Sequence, residues 1–532
     1  MKSNSSIIAA YAVYVFFAAA ILIASIQIND GHFVYALDDT YIHMSIADNL
    51  TTSGNFATNK IHFASASSSP MWVLIISSVY LAAGKNLMTP FIVNFLFQLL
   101  SITVLNFAIK KSGVTKYTLL YMLALILITP FPAVLFAGME HSVQIFFTLV
   151  FVFFSLNLVS SGKKLTKFDL PVILISSFFF GGIRYEDLIL VFIVCMLLFL
   201  SGRRLFSLGV LTSGALPMLA YGLFSTSHGG MFFPNTLLLK SSLPALNAEG
   251  IVRFISKAFS NITEPHILVM LAVLTLLYMI NFNKGLKFRD IKQLLLFVTA
   301  ISLIINMCII EYNHNGSFYR YEAYLIALGI LAVSLSIHGI TNNIKNYFSA
   351  INSKFVKASV FLLMFVVLSP LFVRMLTAAG ILHASMEYYK QQYQMAQFCK
   401  SYAGDMTIAL NDIGMVNYYT ENKIFDLLGL ADIDVAKHRL NGTYNTSVIE
   451  SLGKKENVKL VMCYGDWFDE YGGLPASWKK IAGWTMTDRN LYLGNSTVDI
   501  YVTDPADENY IREKLIEYSG RLPKSVIFEL KN

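Results

Sequence analysis

Long uncharged blocks alternate with short charged joints along most of this chain. The apolar runs cover roughly 7–28, 88–109, 117–137, 142–160, 168–183, 188–202, 205–225, 265–282, 291–310, 322–340 and 358–381. Each approaches the roughly 20 helical residues that cross a bilayer's hydrocarbon core. A further stretch, 70–84, is apolar but gives only about 22 Å of helix, too little to span unaided. After residue 382 the pattern changes. Polar and apolar positions mix, and β-like pieces recur at Thr407–Leu410, Lys423–Leu428, Lys459–Cys463 and Val498–Val502, with helical or turn segments between them. The pattern predicts an all-α polytopic membrane part of about eleven transmembrane helices over 1–382. A C-terminal α/β domain is expected over 383–532.

Composition narrows this further. Of 532 residues, 55% are hydrophobic and 14% charged, against about 25% charged in soluble proteins. That excludes an ordinary cytosolic enzyme, and 41 Phe with 28 Tyr exclude a disordered chain. The first run, Ile7–Ile28, exceeds the hydrophobic region of a signal peptide and reads as a retained helix. Cys195 and Cys308 lie in apolar runs, and Cys399 and Cys463 in the polar part. None has a CxxC or CxxH spacing, so a structural zinc site has no support. A Cys399–Cys463 disulfide stays open, with two separate buried thiols the favoured reading. No nucleotide-binding signature is present, and no nucleic-acid partner is expected.

The net charge of +7 matters less than its placement. If 70–84 does not cross, fifteen Lys and Arg in the joints (Lys110, Lys111, Lys116, Lys163, Lys164, Lys167, Arg203, Arg204, Lys284, Lys287, Arg289, Lys292, Lys345, Lys354 and Lys357) fall on the N-terminal side. Seven fall opposite. Cytoplasmic loops are enriched in Lys and Arg, so the bias favours eleven crossings, with 70–84 in the outer interface. The expected location is a bacterial inner membrane, with the C-terminal domain extracytoplasmic.

That topology gathers the unusual residues on the outer side. The first outer loop carries Leu37-Asp38-Asp39-Thr40-Tyr41-Ile42-His43, followed by an amphipathic helix over about Thr40–Leu50. Acidic residues suit a helix N-terminus. At a membrane surface, a carboxylate can also deprotonate a sugar hydroxyl or hold a divalent cation against a lipid phosphate. Asp39 and His43, four residues apart, are the metal candidates; no cofactor is required. Other outer turns hold Glu140 in Gly138-Met139-Glu140, Arg184 and Glu186 in Arg184-Tyr185-Glu186-Asp187, Asn235 and Lys240 in 226–264, and His314 and Arg320 in the 311–321 loop. Arg184 reads either as the partner of Glu186 or Asp187, or as a phosphate ligand oriented by those carboxylates. Lys240 and Arg320 are further candidate phosphate ligands. Asn411-Asp412-Ile413-Gly414 follows a β-like piece and reads mainly as a turn.

The acidic first loop resembles that of the GT-C glycosyltransferases, closest to the subgroup of mycobacterial arabinofuranosyltransferases and bacterial O-antigen or cell-wall modifying transferases. Ala36–Leu50 resembles its opening. GME at 138–140, RYE at 184–186, FPNTLLLK at 233–240 and FYRY at 318–321 follow in the expected order. Asp412–Gly414 with KIFDLLGL at 423–430 resembles the start of its external domain. The chain has Tyr185 where that group often has proline, and His314-Asn315-Gly316 where an acidic residue is common. The resemblance implies an inverting transfer from a polyprenyl-phosphate sugar to a surface glycan, such as lipopolysaccharide O-antigen, or to a lipid-linked acceptor, within the membrane lipids. A first-loop Asp would be the general base, with Asp38 favoured over Asp39, and Glu140, Arg184, Glu186, Asn235, Lys240, His314 and Arg320 would bind substrate. The rival readings are a lipid or glycan flippase and an O-antigen ligase or polymerase.

Overall fold

The computed structural model describes residues 2–58, 63–114, 116–162, 165–240, 248–282, 290–310, 318–337 and 353–531. Helices occupy all eleven apolar runs: Lys2–Ile28, Thr89–Lys111, Thr118–Ile128 with Phe131–Ala137, His141–Ser161, Asp169–Ile183, Asp187–Leu200, Arg204–Ser227, Pro265–Phe282, Ile291–Ile309, Ala323–Ser336 and Lys354–Tyr402. The 117–137 run breaks between Ile128 and Phe131. Pro130 and Pro132 cause this, because proline lacks an amide donor and disfavours helix in the residue before it. Among the described residues, six helices are long and apolar enough to cross a membrane, and Ala248–Ile262 with Pro265–Asn281 makes a pair bent by 71°.

The short helix Pro70–Ala83 has both ends on one neighbour. Ser67, just before it, lies 3.0 Å from His43 Nδ1, and Lys85, just after it, pairs with Asp48 at 2.8 Å. His43 and Asp48 share the helix Asp38–Ser53. Both flanks of Pro70–Ala83 are thus tied to helix Asp38–Ser53.

Helix Lys354–Tyr402 contains a 3-10 turn at Arg374–Leu376 and a π turn at Tyr389–Tyr393. It runs unbroken through 382–383, where composition alone placed a boundary, and delivers the chain to a six-stranded sheet. The strands are β1 (Thr407–Leu410), β2 (Ile424–Asp426), β3 (Val458–Cys463), β4 (Lys479–Met486), β5 (Thr497–Val502) and β6 (Val526–Leu530), in the order β2-β1-β3-β5-β4-β6. β1 runs parallel to β2 and β3, with Ile408 opposite Ile424 and Leu460; the other pairs are antiparallel. β1 and β2 are buried throughout, as parallel strands require, whereas β5 alternates, with Val498, Ile500 and Val502 inward. All four cysteines are free thiols; Cys399 packs against Met462 at 3.7 Å, so the Cys399–Cys463 disulfide does not form.

The carboxyl ends of β1 and β2 turn towards the helices. The loop after β1 meets the start of helix Asp38–Ser53, and the loop after β2 meets helix Asn235–Lys240. In open α/β sheets this is the end at which ligands bind.

Candidate active site

Two glycines bring the elements of the site into contact. Gly138 has φ +68°, and a Cβ there would lie 2.5 Å from Thr40 Cγ2. Its absence lets Thr40 Oγ1 donate to Ala137 O at 2.5 Å, which seats the Gly138–Glu140 turn against the first loop. A Cβ on Gly414 would fall 2.2 Å from Asp38 O and 2.8 Å from Asp38 Oδ2. That close approach locks the loop after β1 onto the acidic pair.

The helix Asp38–Ser53 begins at the pair itself, and neither carboxylate caps its own helix. Asp38 is buried. Its Oδ2 accepts from Gly414 N–H at 2.6 Å and its Oδ1 from Met415 N–H at 2.8 Å. Both oxygens therefore receive the start of helix Gly414–Tyr419. Burial, then the nearby Asp412 carboxylate, raises the Asp38 pKa against the pull of these two donors. Asp39 is one-third exposed (33%), with Oδ1 3.5 Å from Lys240 Nζ. Burial acts to raise it, but the Lys240, Arg320 and His43 charges together outweigh burial and hold it below the ordinary carboxylate value. Of the two, Asp39 is the ionised and accessible one.

His43 is buried one turn along from Asp39 and feels both Asp39 and Glu140. Burial lowers its pKa, so the ring is neutral near pH 7. Among the described residues no group of three or more His, Cys, Asp or Glu side chains could hold a metal ion. Asp39 and His43 have no third protein ligand of that kind among the described residues.

Glu140 is fully buried and pairs with Arg184 Nη1 at 2.9 Å, while Arg184 Nε pairs with Glu186 at 2.8 Å. The guanidinium fork is thus held by two carboxylates and lies over the Tyr321 ring at 5.6 Å. The expected Arg184–Glu186 pair forms; Asp187 instead accepts from Gln144 at 2.7 Å. Burial would raise Glu140, yet His141, Arg184 and His43 bring it down to about 2.

Lys240, half-exposed (52%), ends helix Asn235–Lys240 and points its charge at Asp39. Arg320 is buried over the Tyr321 ring at 4.5 Å and donates to Tyr321 Oη at 2.8 Å. Its charge also acts on Asp39. Asn235 is placed as a tie rather than a wall of the opening: its N–H donates to Ser65 O at 3.0 Å and its side chain to Gly429 O at 3.1 Å. His314 lies outside the described residues.

The structure adds groups that were not among the site residues expected from sequence. Asp412, in the loop after β1, accepts from Gln392 Nε2 at 3.0 Å and interacts electrostatically with Asp39 and Lys240. Its sequence signal was the Asn-Asp-Ile-Gly turn after a strand. Glu322 and Arg374 form a fully buried ion pair. Arg374 stood as a charge inside an apolar run, which is itself a functional signal. The site thus brings Asp39 within 3.5 Å of Lys240, with Arg320 acting on Asp39 and Asp412 acting on Lys240 through their charges; Arg184, Glu140 and Glu186 form a separate paired cluster.

Residues 384–501 match a family described as "Domain of unknown function (DUF8728)". No curated protein sequence matches the chain. Among solved structures, the chain is similar to ArnT from Cupriavidus metallidurans. It aligns with the undecaprenyl phosphate-bound form at TM-score 0.52 and 12% identity, over 92% of this chain and 98% of ArnT. With the apo form the TM-score is 0.53 at 12% identity, over 94% and 99%. The oligosaccharyltransferase of Archaeoglobus fulgidus aligns at TM-score 0.49 and 11% identity, over 97% of this chain and 75% of its own. The ArnT similarity spans both the helical part and the sheet, so the chain shares its fold with ArnT.

Proposed function

We propose that this chain is an integral membrane glycosyltransferase that moves a sugar from a polyprenyl-phosphate donor to a hydroxyl of a surface glycan or lipid-linked acceptor. The reading places it in a bacterial inner membrane with eleven crossings. Residues 1–382 form the catalytic membrane part, and 383–532 form an extracytoplasmic domain that roofs the site. The observation that carries the reading is Asp39, an ionised and accessible carboxylate paired with Lys240 and near Arg320. Support comes from the fold shared with ArnT, whose structure was solved with undecaprenyl phosphate.

The chemistry follows from these charges. A lipid phosphate entering beside Lys240 and Arg320 draws Lys240 away from Asp39 and frees a basic oxygen. The acceptor hydroxyl oxygen attacks the sugar's anomeric carbon from the face opposite the phosphate, so the centre inverts. As that bond forms, Asp39 takes the hydroxyl proton. The anomeric carbon–oxygen bond to phosphate breaks, and its electron pair stays on the phosphate oxygen. Lys240 and Arg320 stabilise the charge that collects there. Asp38 serves as the strut that docks the external domain. This reverses the order of roles favoured from sequence, where the two neighbours were indistinguishable. Arg184 holds Glu140 and Glu186 in place, and no step runs through a metal.

The test is transfer in membranes supplied with a panel of radiolabelled polyprenyl-phosphate sugars. Label from at least one donor is expected to reach surface glycan, and Asp39→Asn is expected to lower that rate by roughly 10²–10⁴. Absence of protein-dependent transfer from every donor, or full activity of Asp39→Asn, refutes the proposal.

A further inference from the structure

Arg374 interrupts an apolar stretch of helix Lys354–Tyr402 at its 3-10 turn, and its side chain is completely buried. A buried guanidinium persists only when its donors are satisfied. Here Nε donates to Ile128 O at 2.7 Å, Nη1 to Glu322 Oε1 at 2.5 Å and Nη2 to Tyr319 O at 3.3 Å. The guanidinium also lies over the Tyr319 ring at 4.4 Å. Glu322 is itself fully buried, with His266 Nε2 3.3 Å away.

These contacts grip both ends of a strained turn. Phe318 and Tyr319 have φ of +49° and +56°, a left-handed conformation that bulky side chains avoid. Two successive aromatic residues stay there only where the surroundings over-determine them. Arg374 bonds the Tyr319 carbonyl on one side and the Glu322 carboxylate on the other. Between those two points sits Arg320, whose charge acts on Asp39, with Tyr321 beside it stacking on both Arg320 and Arg184.

We propose that Arg374 is a positioning residue: through Tyr319 O and Glu322 it holds the Phe318–Glu322 turn in the one shape that aims Arg320 at the donor phosphate. The inference rests on the glycosyltransferase reading above and adds to it the element that sets the phosphate-binding geometry. Arg374 touches no reacting atom, and it acts from inside the helical layer on the outer site.

The test uses full-length protein in nanodiscs, with undecaprenyl phosphate as the phosphate-bearing probe and undecaprenol as the probe lacking phosphate. Arg374→Met is expected to weaken undecaprenyl phosphate binding about tenfold and leave undecaprenol within twofold. Arg374→Lys is expected to lose several-fold, since an ammonium can meet Glu322 but cannot copy the planar fork that also reaches Tyr319 O and Ile128 O. The double variant Arg320→Ala/Arg374→Met is expected to bind no worse than Arg320→Ala alone, because Arg374 acts through Arg320. A merely structural Arg374 gives additive losses and weakens both probes alike. Additive losses, equal loss of both probes, or wild-type affinity in Arg374→Lys each overturn the proposal. If Arg374→Met fails to accumulate in membranes, the Arg374→Lys comparison of the two probes decides. Wild-type protein that binds neither probe overturns the glycosyltransferase reading, and this inference with it.

Discussion

Replacing Asp39 by Asn and, separately, Asp38 by Asn should produce two different kinds of damage. Asp39 has a third of its side chain open and Lys240 at 3.5 Å. Asn keeps its shape and removes its basicity, so transfer falls by roughly 10²–10⁴, or about 3–5 kcal/mol in the barrier, while the fold stays intact. Asp38 is a strut. Its two oxygens accept from Gly414 N–H at 2.6 Å and Met415 N–H at 2.8 Å. Asn offers one oxygen and one amide, so one backbone donor meets another donor in a buried setting, a loss of about 1–3 kcal/mol. That loss appears as a lower Tm and faster proteolysis near the start of the sheet domain. The assay pairs transfer rate per unit of membrane-inserted protein with limited proteolysis of the same membranes. A hundredfold rate loss in Asp38→Asn at unchanged proteolysis, with Asp39→Asn active, refutes the assignment of roles.

Gly414→Ala should destabilise by about 1–3 kcal/mol, because its Cβ would fall 2.2 Å from Asp38 O; Gly520→Ala, with φ −68° and open space around it, should leave Tm unchanged or slightly raised. Arg184→Ala should act mainly on stability, by about 3–5 kcal/mol, since it strands the buried Glu140 carboxylate. Lys240→Ala should act on donor use at normal abundance; thermal unfolding beside donor saturation curves separates the two. The His141, Arg184 and His43 charges hold Glu140 down at about 2 in the folded protein, against an ordinary value of 4.5. The folded state therefore binds fewer protons between these values. Its stabilising contribution is full above 4.5 and lost as pH falls towards 2. Glu140→Gln should flatten that part of an acid-unfolding curve. Asp39 likewise titrates below its ordinary 3.8, so the acid limb it gives to kcat/KM should lie below pH 4; a limb near neutrality would point to another base.

Much of the architecture is written in runs that chemistry forces to be continuous. A helix in lipid must be apolar along its length, so all eleven apolar runs could be read as helices in their order. The buried strands β1 and β3 and the alternating β5 were legible for the same reason, since burial imposes a pattern. Strand β4 was not: it opens with Lys479 and Lys480 and takes its place only by pairing with β5 and β6. Helix Ala248–Ile262 was hidden in a stretch that reads as loop, because it is amphipathic rather than wholly apolar. The site shows the same division. Its acidic pair, Lys240 and Arg320 stand out as residue types in unusual places. Which of two adjacent aspartates stays accessible depends on a backbone turn 376 residues away, whose N–H groups claim Asp38. Arg184 and Arg320 look alike as isolated cations, and only packing shows one held by two carboxylates. Arg374 finds Glu322 across 52 residues, inside a layer where no periodicity marks it. Local pattern reports what each residue must avoid, water or lipid. A charge's partner is set by the three-dimensional approach of distant segments, and that only the tertiary fold decided.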